Sequence, residues 1–233
     1  MVTEMEITRE IAAKVLEVVD AGLVSGVGNP VPGQMCVEAA VCYAMGLPHG
    51  DDPYTVSTVL RALKIRLNDS TWSSARSRAT GLRRLAVAQL GSQGVLDDTE
   101  FGRRVVELAI RKQVPIALRA AAKIHPSRKQ RAKLLAAAAT CERQGTRQAA
   151  DAAARTAADA AAYAAADVAA DAAYAAYASA AYGDIDYAAY AAEAAADVQN
   201  DRSLSEFAED IVQILSDMNA PGCVWLNLTD AKP

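Results

Sequence analysis

An all-α fold of seven to nine helices, one of them long and alanine-rich, is predicted by three features of this 233-residue chain. Apolar residues recur at helical spacing along most of its length. Capping and stopping residues punctuate that pattern at helix-length intervals, and strand-like alternation is nearly lacking. Between Ala149 and Tyr182, 22 of 34 residues are alanine, the strongest helix former, and most of the others are Asp or Tyr.

The elements follow in order. Thr3-x-x-Glu6 has the form of a capping box, in which hydroxyl and carboxylate satisfy backbone N–H groups at a helix start. Ile7, Ile11, Val15 and Val18 continue at helical spacing. Residues 22–33 are a Gly/Pro-rich break, and a second helix is predicted from about Gln34 to Met45, stopping at Gly46. Asp52-Pro53 reads as an N-cap with proline at the first helical position. The helix it opens carries Val56, Val59, Leu60, Leu63 and Leu67 on one face.

Asn68-Asp69-Ser70 is a turn and cap before a helix from about Trp72 to Leu90. Asp97-x-x-Glu100 caps the next helix, which reaches about Ile124 and is expected to kink or split at Pro115. His125-Pro126 starts another, ending at Gly145. The alanine tract is expected to run as one helix to Tyr182, with a continuation after Asp184 to about Val198. Ser203-x-x-Glu206 heads a last helix bearing Phe207, Ile211, Ile214 and Leu215. Residues 223–228 are the one strand-like piece. Composition divides the chain into a helical domain over 1–145 with a basic middle, an alanine-rich region over 146–200 packed on it, and a C-terminal helix and tail over 201–233.

On a helical wheel Asp151, Arg155, Asp159, Tyr163, Asp167, Asp171, Tyr174, Tyr177 and Tyr182 share one broad arc, leaving a nearly smooth alanine face. A smooth face admits close helix packing. It is expected to be buried, with Ala161 on it, and it offers a surface for a homo-oligomer.

Charge is segregated as strongly as alanine. Residues 61–147 hold 19 Lys/Arg against 6 Asp/Glu, whereas residues 1–60 net −6 and residues 148–233 net −11. The overall pI near 5.3 conceals this dipole. Asp159, Asp167 and Asp171 exclude the alanine tract as a membrane span, since each costs roughly 2.5–3.5 kcal/mol near a bilayer centre. The acid-bearing N-terminus is unlike a signal peptide. Four dispersed cysteines without a CxxC point to reduced thiols and a cytoplasmic setting.

Arginine forks grip phosphates and carboxylates, and a tryptophan among them can stack on a base. Arg61, Lys64 and Arg66, with Trp72, Arg83 and Arg84 after the turn, are therefore the expected ligand-binding residues. A second basic cluster comprises Arg103, Arg104, Arg111, Lys112, Arg119, Lys123, Arg128, Lys129, Arg131 and Lys133. The implied ligand is an anionic small molecule, nucleotide-like by preference, or an acidic protein surface. Duplex DNA is not expected: no DNA-binding motif is present, and the acidic flanks repel phosphate backbones. The competing expectation is that these cations pair with the chain's own acids.

Catalytic constellations are thin. Gln34-Met-Cys36 places a thiol at a helix start, an arrangement similar to that of papain-type peptidases, but only His49 and His125 are available as bases. The ordinary reading of Cys36 and Cys42 is small buried packing residues. His49-Gly-Asp51-Asp52 lacks a second histidine nearby, so neither a metal nor another cofactor is expected. The loop from Gly26 to Gly33 lacks the Gly-Lys-Ser/Thr of a phosphate-binding loop.

The segment Pro32-Gly-Gln-Met-Cys36-Val-Glu-Ala-Ala-Val-Cys42-Tyr-Ala-Met-Gly-Leu-Pro-His49-Gly-Asp-Asp-Pro53 resembles one found in a family of uncharacterised phage and bacterial proteins. Lys64-Ile-Arg-Leu-Asn68-Asp69, Trp72-Ser-Ser74, Gly81-Leu-Arg-Arg-Leu85 and the Ala/Tyr/Asp-rich helix fit the same pattern. That resemblance implies a phage or mobile-element origin and transfers no site. The resulting expectation is a non-enzymatic binding protein that captures an anionic ligand or a host defence component. The alternatives are an enzyme using Cys36, or an oligomerising structural or assembly protein.

Overall fold

The computed structural model describes residues 6–160 and 201–230, together with 170, 171, 173, 174, 190 and 191. The fold is all-α, and the described residues form no strand, only an isolated bridge between Gly28 and Met35. Among the described residues the α-helices, in chain order, are α1 (Arg9–Asp20), α2 (Val37–Ala44), α3 (Thr58–Asp69), α4 (Ala75–Ala88), α5 (Asp98–Leu108), α6 (Val114–Ile124), α7 (Arg128–Gln144), α8 (Arg147–Asp159) and α9 (Asp201–Asp217). A π-helical turn, Ala109–Gln113, joins α5 to α6, and a 3₁₀ helix, Pro221–Asp230, follows α9. By its contacts the chain forms two compact units, 1–101 with 205–233, and 102–204. This division does not follow composition: the last helix belongs largely with the first four.

In unit one α4 packs on α1, α2 and the 3₁₀ helix. Its core is Leu and Val: Val15, Leu60, Leu63, Leu67, Leu82, Leu85 and Ile211 are all fully buried. Trp72 lies across α4, where a Cβ on Gly81 would stand 2.5 Å from its ring. Only glycine permits that approach. The 3₁₀ helix seats as closely, since Gly222 sits against the Val87 and Ala88 carbonyls.

Local starts differ from expectation in instructive ways. Thr8, not Thr3, caps α1, accepting from Ile11 N–H; Thr3 lies outside the described residues. The α3 helix does not open at Asp52-Pro53. Ser57 caps it, accepting from Leu60 N–H at 3.3 Å while its hydroxyl donates to Asp98 at 2.5 Å. Asp52 pairs instead with Arg61 one turn inside α3. Ser74 caps α4 and Ser127 caps α7, so both start a few residues later than the sequence indicated. Asp97 caps α5 as expected, its carboxylate accepting from Glu100 N–H at 3.0 Å. Ser203 falls inside α9, which begins at Asp201. The strand-like 223–228 segment is 3₁₀ helix. An isolated strand would leave its backbone groups unpaired, whereas a 3₁₀ helix satisfies them within itself.

In unit two α7 packs against α6 and α8. Pro115 splits the expected long helix. It has no N–H to donate one turn back, and the chain absorbs this with a wider turn in which Val114 N–H bonds Ala109 O. Gly145 ends α7 in the left-handed conformation, φ 61°. Arg111 closes that helix end: Nη1 donates to Glu142 O at 2.7 Å and Arg143 O at 2.8 Å, and Nη2 donates to Gln144 O at 3.1 Å. A cation there also meets the negative end of the helix dipole.

On α8, Ala149, Ala150, Ala153 and Ala157 are buried, whereas Arg155 and Asp159 are exposed. The smooth alanine face is thus buried over this stretch. α8 closes at Asp159, with Ala160 as its C-cap. Ala161, Tyr163, Asp167, Tyr177 and Tyr182, and with them most of the expected continuation to Val198, lie outside the described residues.

Candidate functional site: where the cations go

Unit one turns several of its basic residues inward. Lys64 follows Leu60 by four residues and precedes Leu67 by three, so it shares the apolar stripe of α3. Its side chain is fully buried, with Nζ 3.0 Å from Glu38 of α2, which is also fully buried. The approach is too oblique for a well-formed hydrogen bond, so the contact is one of charge. Burial pushes the Glu38 carboxyl up and the Lys64 amine down, each opposed by the other's charge. A buried pair of this kind contributes little net stability, yet losing one partner strands a charge.

Arg83 forks onto Asp20 of α1, at 2.6 and 3.0 Å, and donates to Thr229 O at 2.5 Å. Arg84 meets Glu209 at 2.9 Å and Thr229 Oγ1 at 3.0 Å. Arg78 donates to Asn68 O at 2.8 Å and Leu23 O at 3.1 Å. Trp72 is 7 % exposed and its indole N–H donates to Leu67 O at 3.0 Å, which leaves no ring face for a base. Of the six expected ligand contacts, Lys64 and Trp72 are core, Arg61, Arg83 and Arg84 hold carboxylates, and Arg66 alone is well exposed. The structure does not gather them into one site. The acids that Arg61, Lys64, Arg83 and Arg84 meet among the described residues are Asp52, Glu38, Asp20, Glu209 and Asp230.

The residues that carry the resemblance hold the Gly/Pro-rich loop in place. Asn68 accepts from Val37 N–H at 3.2 Å and donates to Val24 O at 2.9 Å. Asp69 accepts from Gly26 N–H at 2.7 Å, and the His49 ring contacts Gly28 O at 3.0 Å. Cys36 is the N-cap of α2, its sulfur accepting from Ala39 N–H at 3.3 Å, and it is 4 % exposed. Burial pushes this thiol up, and it pushes Cys42 and Cys141 up to about 11. A protonated, enclosed thiol is a poor nucleophile.

Unit two arranges its charge differently. Residues 112–141 hold seven Lys/Arg and no Asp or Glu. Arg119 is taken by Glu142, with Nη2 to Oε2 at 2.6 Å. Arg131 reaches His125 O at 3.4 Å. Lys123, Arg128, Lys129 and Lys133 are exposed and have no carboxylate within ion-pair distance among the described residues. Lys123 stands in the last turn of α6, and Arg128, Lys129 and Lys133 stand in the first turns of α7, whose positive helix end adds to their field. The cue in the sequence was not the number of cations but the stretch without acids.

Among the described residues no three His, Cys, Asp or Glu side chains form a group able to hold a metal ion. No described helix is long and apolar enough to cross a membrane. Comparison with known protein families, with curated proteins and with solved structures finds no match.

Proposed function

We infer that the chain is a non-enzymatic binding protein that takes an anionic partner through the basic face of unit two. The carrying observation is the exposed set Lys123, Arg128, Lys129 and Lys133, none of which has a carboxylate within ion-pair distance among the described residues, Asp159 sharing only the cleft beside Lys133. Lys123, Arg128 and Lys129 stand on the outer surface of helices, and Lys133 borders an open, largely alanine-lined cleft between α7 and α8. Such a surface suits the acidic face of a protein better than a compact nucleotide, which needs converging donors and a stacking ring. The resemblance to phage and bacterial proteins supports a host protein as that partner, a defence component included.

Fluorescence anisotropy with labelled polyglutamate tests this reading. Binding is expected at low ionic strength, falling steeply toward physiological salt. Replacing Lys123, Arg128, Lys129 and Lys133 by Glu should weaken it by at least about tenfold, which is only about 1.4 kcal/mol spread over four reversed charges. Equal binding by the reversed variant contradicts the assignment. Tighter binding of duplex DNA than of polyglutamate replaces the acidic protein with nucleic acid.

A further inference from the structure

Unit one carries a groove of about 850 Å³ lined by Ile7, Tyr54, Val95, Val224 and Trp225, with Glu6 at its edge. Four separate segments build it: the residues before α1, the loop before α3, the loop after α4 and the 3₁₀ helix. Three of its four segments are tied to neighbours. Gln93 N–H bonds Thr55 O at 3.0 Å, and Gly222 holds the 3₁₀ helix against α4. Tyr54, Val95 and Val224 are 41, 65 and 68 % exposed. Large apolar side chains left in water around one concavity mark a binding surface, and the volume is that of a small-ligand pocket.

The lining selects the ligand's charge. Among the described residues no Lys, Arg or His lines the groove, and the one charged side chain lining it is the Glu6 carboxylate. Two aromatic residues, Tyr54 and Trp225, are in its lining, and the electron-rich faces of such rings attract cations. An anion meets repulsion there, and a neutral apolar molecule gains burial alone. We propose that this groove is a binding site for an apolar organic cation, a substituted ammonium held by the Tyr54 and Trp225 rings and balanced by Glu6. The site is independent of the basic face of unit two, which selects the opposite charge.

The full chain has two tryptophans, and Trp72 is 7 % exposed, so fluorescence changes on titration report chiefly on Trp225. Benzyltrimethylammonium, benzyl alcohol and benzoate present one ring with a cationic, neutral or anionic head. The cation is expected to change the Trp225 emission and to bind roughly tenfold more tightly than the alcohol, with benzoate weakest. Trp225→Leu should weaken the cation by about tenfold, read by nuclear magnetic resonance line shifts, and Glu6→Gln by a few-fold with loss of salt dependence. If Trp225→Leu fails to fold by circular dichroism, Tyr54→Leu supplies the ring deletion. Alcohol and cation binding alike, no response at millimolar cation, or undiminished binding by the folded ring-deletion variant overturns the proposal.

Discussion

Units one and two use the same residue types for opposite purposes. In unit one a lysine is a core residue and arginines are cross-braces: Lys64 meets Glu38 from α2, and Arg83 ties α4 to α1 through Asp20. In unit two Lys123, Lys129 and Lys133 stand in solvent, whereas Arg111 and Arg119 are drawn to the α7 end. A basic stretch in a sequence is therefore two different things. Where acids from distant positions can reach it, it is architecture. Where the stretch itself is free of acids, as over the 30 residues 112–141, most of it is surface, Arg119 being the cation that Glu142 draws in.

The sharpest way to break this contrast is to remove one cation from each unit. Lys64→Met leaves Glu38 buried without its counter-charge and should cost about 3–5 kcal/mol. Lys129→Met should change stability by no more than about 0.5 kcal/mol. Chemical denaturation measures both, and similar losses would erase the distinction. Replacing Lys64 and Glu38 together by apolar residues should recover most of the loss, because the pair itself adds little.

Next in size is the α7 terminus. Gly145→Ala forces a side chain into a left-handed backbone and into the space of the Arg111 guanidinium, which a Cβ would approach to 2.6 Å. A loss of about 1–2 kcal/mol is expected, with the melting of unit two affected first. An unchanged melting curve would mean that Arg111 does not hold this end.

A smaller effect separates capping from chemistry in unit one. Cys36→Ser keeps an N-cap acceptor at the start of α2, so stability should shift by less than about 1 kcal/mol. Binding to polyglutamate should be unaffected. Loss of an activity in a normally folded Cys36→Ser protein would restore the thiol as a nucleophile.

The smallest effect is in acid. Hydrogen bonds from Arg111 and Arg119 hold the Glu107 and Glu142 carboxyls below the usual range. Because the folded values are lowered, their stabilisation is complete above the unfolded value of about 4.3 and is lost as pH falls through the folded values. Both pairs are more than a third exposed, so each contributes at most about 1 kcal/mol. Arg119→Met should flatten the pH dependence of stability in that window, and an unchanged slope would assign it elsewhere.

These contrasts explain what the sequence discloses and what it conceals. Helix content, the Asp97 cap and the break at Pro115 are local properties, set by residues within a turn or two, and they were legible. The assignment of Arg61, Lys64, Arg66, Trp72, Arg83 and Arg84 to one ligand was not, because their partners lie far along the chain. Arg83 and Asp20 are 63 residues apart. One signal was present: Lys64 shares the apolar stripe of Leu60 and Leu67, where a cation needs a buried partner. The groove beside Trp225 left no local trace, since four distant segments line it.

Lysine modification by a water-soluble acetylating reagent, followed by peptide mass spectrometry, tests the central contrast directly. In the native protein Lys123, Lys129 and Lys133 should react at the rate of free lysine, while Lys64 stays unmodified until the protein unfolds. Native Lys64 reacting as fast as Lys129 would show that the inward and outward cations are not distinct.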